Sequence, residues 1–181
     1  MELKKRFFAA PVKPCKMVEH TPAPYFRYKF ENNGLISSKL AISGLGFYRL
    51  FINGKEITKG LLSPYISNLD HIIYYDVYDL APYLTSGANC VGVMLGNGMR
   101  NPIGAYVWSF QEGEFTGVPC FALEFLGENE KGEKSHLPPQ ILNMHRRPPC
   151  STIYEQANGT TQGRKLKIGR NLILTILHGN P

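Results

Sequence analysis

Apolar and polar positions alternate with a period of two over much of the chain. Phe26, Tyr28 and Phe30 are interleaved with Arg27 and Lys29, the pattern of a strand with one face in a core and the other in water. Leu40 and Ile42 alternate with Lys39, Ala41 and Ser43; Gly44-Leu45-Gly46 then punctuates the chain before a second run, Phe47 to Ile52. That run meets Asn53-Gly54, a dipeptide suited to a type I′ hairpin because both residues tolerate positive φ, and Lys55-Glu56-Ile57 is the expected return strand. His71 to Tyr78 is a further aromatic and β-branched run. Asp79 is placed to cap one helical turn through Leu84, with Pro82 in its first turn, where a missing N–H costs little. Ser86 to Asn89 reads as a turn, Cys90 to Leu95 as a strand ended by Gly96-Asn97-Gly98, and Ala105 to Phe110 and Pro119 to Leu126 as two more strands. Many short strands with turn signals every eight to twelve residues or so predict an all-β, antiparallel sandwich or barrel.

Three segments follow from the same pattern. Residues 1–24, broken by Pro11, Pro14, Pro22 and Pro24, are expected to be an extended lead-in; residues 25–132 are expected to form the β domain; residues 133–181 lose the alternation and are interrupted by Pro138-Pro139 and Pro148-Pro149. At 181 residues the chain suffices for one domain with a substantial core and is too short for two. Charge divides it at the same place. Met1 to Glu133 holds thirteen Lys and Arg against thirteen Asp and Glu, whereas Lys134 to Pro181 holds seven basic residues and one acid, Glu155, so the tail supplies the whole formal charge of +6. A basic segment of this kind reads as solvated chain, and no nucleic-acid partner is expected.

Candidate chemistry is sparse. Cys15, Cys90, Cys120 and Cys150 include no Cys-x-x-Cys pair, and the histidines at 20, 71, 136, 145 and 178 show no ligand spacing; no metal and no cofactor are expected. The apolar run near the amino terminus is shorter than a secretory core needs, and no stretch approaches a membrane span, so no membrane partner is expected and a cytoplasmic, reducing location is the default. Hydrolysis of a glycosidic bond needs two opposed carboxylates. The central acids are Asp70, Asp76, Asp79, Glu112 and Glu114, of which Asp79 is explained as a cap, and none is expected to be catalytic. Gly44-Leu45-Gly46 and Gly96-Asn97-Gly98 read as turns, since neither opens a helix or completes a phosphate-binding motif. The glycosylation-type sequence Asn158-Gly159-Thr160 carries little weight without a secretion signal. Trp108 and Tyr106 offer aromatic faces for a sugar ring, with Asn97, Arg100 and Asn101 nearby in sequence as polar contacts, against a packing role for the aromatics.

The strings from Leu40 to Lys55, from Tyr75 to Leu80 and from Gly92 to Gly98 resemble the amino-terminal domain of the bacterial α-L-rhamnosidases of glycoside hydrolase family 78, over about Pro24 to Gly132. The shorter Ile52-Asn53-Gly54 and Tyr75 to Leu80 elements are also similar to sugar-binding domains of β-galactosidases and β-glucuronidases. The resemblance implies a galactose-binding-like jelly roll that, in the full enzymes, packs beside an (α/α)6 barrel. That barrel carries the catalytic acids that release terminal rhamnose with inversion. It lies farther along the chain in the family, so none of its catalytic residues has a counterpart here. The resemblance thus implies a non-catalytic accessory domain, with the missing barrel as partner and rhamnose-containing glycans as potential contacts; a free-standing carbohydrate-binding module is the alternative. The departure after Gly132 has a candidate origin. Codons compatible with Ala157 to Pro181, regrouped with a two-base offset, can encode a Tyr-Asp-Ala segment followed by an Asp-Asp-Ser-x-Trp segment, similar to the family's continuation. A frameshift between about Lys131 and Arg146 would create a non-native, disordered or loosely placed tail and truncate the product.

Overall fold

The computed structural model describes residues 3, 7–9, 12–15, 22–102, 116–136 and 143–145. In chain order these form strands β1 (Phe8–Ala9), β2 (Tyr25–Asn32), β3 (Leu35–Leu45), β4 (Phe47–Ile52), β5 (Lys55–Glu56) and β6 (Asp76–Asp79), a single 3₁₀ turn (Ala81–Tyr83), then β7 (Gly87–Gly96), β8 (Cys120–Asn129), β9 (Lys134–Ser135) and β10 (Asn143–His145). Every pairing among them is antiparallel. One sheet runs β1-β8-β3-β6, with β9 also on β8; the other runs β10-β2-β7-β4-β5. The predicted β-sandwich is therefore the observed architecture. The predicted strand at Ala105 to Phe110 lies outside the described residues, as does the tail beyond 145.

Inner faces of the two sheets close over one apolar interior. Leu40, Ile42, Phe121 and Phe125 from the β3 sheet meet Phe26, Leu50, Ile52, Val91, Val93 and Leu95 from the β7 sheet. Phe26 and Phe121 pack edge to face with ring centroids 4.8 Å apart, an arrangement that adds to the burial of both rings. Along β7 the alternation is complete: residues 89, 91, 93 and 95 are buried and their neighbours partly exposed.

One expectation is revised. His71 to Tyr78 is strand only from Asp76; residues 72–75 instead cross the outer face of the β3 sheet, where Ser43 Oγ donates to the Tyr74 carbonyl at 2.6 Å. Ile73 packs there with Leu45 and Cys120, and Tyr75 with Ala41 and Ala122. The apolar run thus reflects burial against a sheet without membership of its ladder. Among the described residues of the lead-in, β1 pairs with β8, and Leu3 is buried in the same outer cluster as Tyr75.

The turns behave as their residues require. Asn53 (φ 50°) and Gly54 (φ 82°) make the β4–β5 hairpin. Asp79 accepts from the Ala81 N–H at 3.0 Å, so it closes an Asx turn into the 3₁₀ segment, one residue before the formal cap position, Leu80. Gly46 has φ 113°, and a Cβ there would lie 2.4 Å from the Gly96 carbonyl oxygen. The two glycine motifs noted in the sequence therefore meet backbone to backbone where β4 and β7 begin and end.

Candidate functional site

The segment after β7 carries three of the five residues singled out for sugar contact. Asn101 Nδ2 donates to Asn97 Oδ1 at 2.8 Å, and the Asn101 N–H donates to the Asn97 carbonyl at 3.2 Å. Asn101 Oδ1 in turn accepts from the Cys15 N–H at 2.7 Å, across 86 residues of sequence. Arg100 Nε donates to the Val118 carbonyl at 2.9 Å, and the Arg100 carbonyl accepts from the Gly117 N–H at 2.7 Å. Asn97, Arg100 and Asn101 are thus brought together, but Arg100 is 7% exposed and Asn101 2%. Their polar atoms tie the loop to the lead-in and to the start of β8, which supplies the hydrogen bonds that buried polar groups require. Trp108 and Tyr106 lie outside the described residues.

Arg100 also reaches the buried Cys120 thiol. Burial pushes that thiol up to about 11, with the guanidinium acting in the opposite direction. A thiol so placed is protonated at neutral pH and is an inert packing group. Cys90 is also a free thiol, and Cys15 Sγ accepts from Asn101 Nδ2 at 3.3 Å.

A second polar cluster sits at the sandwich edge. Tyr48 donates to Asp76, its hydroxyl lies 3.0 Å from that of Tyr78, and Tyr78 Oη accepts from the Lys59 N–H at 3.2 Å. Burial first, and then the neighbouring Tyr78 and Asp76, hold the Tyr48 phenol far above its usual range. Sequence reading did not find this triad. Its signal was two tyrosines at inward positions of different strands, which need partners for their hydroxyls once buried. Among the other central acids, Asp79 closes its turn, Asp70 lies in a partly exposed turn beside Asn68, and Glu112 and Glu114 fall outside the described residues. At the opposite end of β7, Asn89 Nδ2 donates to the Thr85 and Gly87 carbonyls at 2.7 and 2.8 Å, and Asn53 Nδ2 donates to Asn89 Oδ1 at 2.8 Å. This pair holds the hairpin and the turn together.

With the sandwich and these clusters established, comparison with known proteins places the fold. The family model described as the α-L-rhamnosidase N-terminal domain matches residues 34–138. The chain belongs to this family. An α-L-rhamnosidase of Formosa agariphila is 40% identical over 82 residues, which are 45% of this chain and 9% of that protein. The α-L-rhamnosidase structure from Dictyoglumus thermophilum superposes with a TM-score of 0.65 at 22% identity, covering 79% of this chain and 16% of that one. A lectin from Pleurotus ostreatus shares the fold at a TM-score of 0.51 and 16% identity, over 79% of this chain and 32% of the lectin. The chain therefore spans a small fraction of the rhamnosidases it matches. Among the described residues, no helix is long and apolar enough to cross a membrane.

Proposed function

We propose that this chain is a non-catalytic accessory domain of an α-L-rhamnosidase, an enzyme that in its full-length form hydrolyses terminal α-L-rhamnose through a separate (α/α)6 domain. The observation that carries this reading is the match of the rhamnosidase N-terminal domain to residues 34–138 in a chain that covers 16% of a solved rhamnosidase. The placement of the acids supports it as well. Asp76 is engaged by Tyr48 and Asp79 closes a turn, so each already has a structural task. A pair of carboxylates facing one another across a sugar-sized gap is what glycoside hydrolysis requires. Free thiols at Cys90 and Cys120 support a reducing, cytoplasmic setting. In this reading a frameshift between about Lys131 and Arg146 produced a non-native tail that begins beyond residue 138, where the family match ends.

A second reading, a free-standing carbohydrate-binding module, is favoured by the fold shared with a lectin. In it, Trp108 and Tyr106 would stack on the sugar while Asn97, Arg100 and Asn101 hold the loop that presents them. Incubation of the purified chain with an aryl α-L-rhamnoside tests the first reading, and sustained turnover would refute it. Calorimetric titration with rhamnose separates the two, because only the second requires saturable heat. Reading the genomic DNA downstream tests the frameshift, which fails if no frame encodes a rhamnosidase segment.

A further inference from the structure

Lys59 and Asp70 enclose ten residues without a charge, Gly60 to Leu69. Four large apolar side chains in this stretch face solvent: Leu61 is 93% exposed, Tyr65 80%, Leu62 60% and Ile66 58%. The base from which they project is well anchored. The Ile57 N–H donates to the Leu50 carbonyl at 2.9 Å and the Tyr48 N–H donates to the Ser63 carbonyl at 2.8 Å, so the chain follows the β4 edge, leaves it near Lys59 and returns at Ser63. The Leu50 N–H also donates to Thr58 Oγ1 at 2.8 Å. The Lys59 N–H is held by Tyr78 Oη, its ammonium lies 5.3 Å from the Tyr78 ring centre, and Ser63 and Pro64 are buried. The Tyr48–Asp76–Tyr78 cluster thus fixes the root of an apolar bulge, which lowers the ordering cost of any contact the bulge makes.

We propose that this bulge is a homotypic docking surface, paired in solution with the same surface on a second copy of this chain. Area and charge select that occupant. The four side chains present on the order of 500 Å² of mostly apolar surface, so an isologous pair removes about 1,000 Å² from water, the size at which a specific interface becomes sustainable. A two-fold contact brings residues close to their own symmetry mates, and a charged patch would repel itself there; the stretch from Gly60 to Leu69 has no charge to do so. The inference does not depend on whether the chain serves a rhamnosidase.

Sedimentation velocity of the full 181-residue chain over a hundredfold range of concentration tests it, together with hydrogen exchange of the amides of residues 59–67. The weight-average mass should climb toward twice that of the monomer, and exchange in residues 59–67 should slow as it does. Leu61→Asp and Tyr65→Asp should each weaken association roughly tenfold or more, with an unchanged thermal melt. Ile36→Asp, at another exposed apolar position, should leave association intact. A monomer at every concentration would overturn the proposal and pass the surface to another domain or ligand. Association that survives both aspartate variants, or protection confined to other residues, would also overturn it. Hydrogen exchange in the unaltered chain decides the matter if a variant fails to fold.

Discussion

The two sheets share an interior but differ on their outer faces. Behind β3, the outer positions are small or modest residues, Ala41, Ser43, Leu45, Cys120 and Ala122, all buried, because Leu3, Phe7, Leu69, Ile73 and Tyr75 form a further layer over them. Behind β7, the outer positions include Lys29, Arg49 and Glu56, which stay exposed. Consequently β3 is buried without interruption from Leu40 to Leu45, whereas β7 alternates throughout. The same kind of strand is therefore written differently in sequence according to how many layers lie against it.

Substitutions can break this contrast in order of expected effect. Phe121→Ala, in the shared interior, should lower the unfolding free energy by about 3–5 kcal/mol, read from the urea midpoint. Gly46→Ala adds a side chain at positive φ against the Gly96 carbonyl, and should cost about 2–4 kcal/mol by the same measurement. Ala41→Leu tests the outer layer of the β3 sheet. It should destabilise by about 1–3 kcal/mol through overpacking, while Lys29→Leu on the outer face of the β7 sheet should stay within about 0.5 kcal/mol. Equal effects for that pair would mean that the third layer is not tightly packed.

Proton binding supplies a subtler probe. Burial raises both the Cys120 thiol, to about 11, and the Tyr48 phenol in the folded chain. Their contribution is complete below the unfolded values, about 8.5 and about 10 respectively, and is lost as pH rises through the folded ones. Stability should accordingly fall above about pH 9, and Cys120→Ala should flatten the first part of that decline. On the opposite side of neutrality, Arg49 holds the Glu56 carboxylate below its usual range by a hydrogen bond of 2.7 Å. That stabilisation is present above the unfolded carboxylate value and fades as pH falls through the folded one. At this exposed pair it should amount to about 0–1 kcal/mol, and Arg49→Ala should remove it.

Candidate-site legibility followed the same division. Asn53-Gly54 as a hairpin and β7 as an alternating strand were legible because each depends on neighbours within a few residues, whereas Asp79, expected as the cap, closes an Asx turn one residue before it. The set singled out for sugar contact is a cluster in sequence. Asn97 and Asn101 do meet, four residues apart, yet their link to Cys15 spans 86 residues and has no local signature. The Tyr48–Asp76–Tyr78 cluster was missed for the same reason, since its members come from β4 and β6, which belong to different sheets.

Period-two alternation and turn chemistry, both short-range, determined by themselves that this protein is antiparallel β, a sandwich or a barrel, and the family resemblance selected the sandwich. Its family was already legible in the strings around Gly46 and Gly96. Tertiary structure alone decided that those glycines touch, that the lead-in and residues 72–75 cover one sheet, and that Arg100 and Asn101 turn inward. Those outcomes depend on which distant surfaces come together, and a residue's own neighbours along the chain carry no record of that.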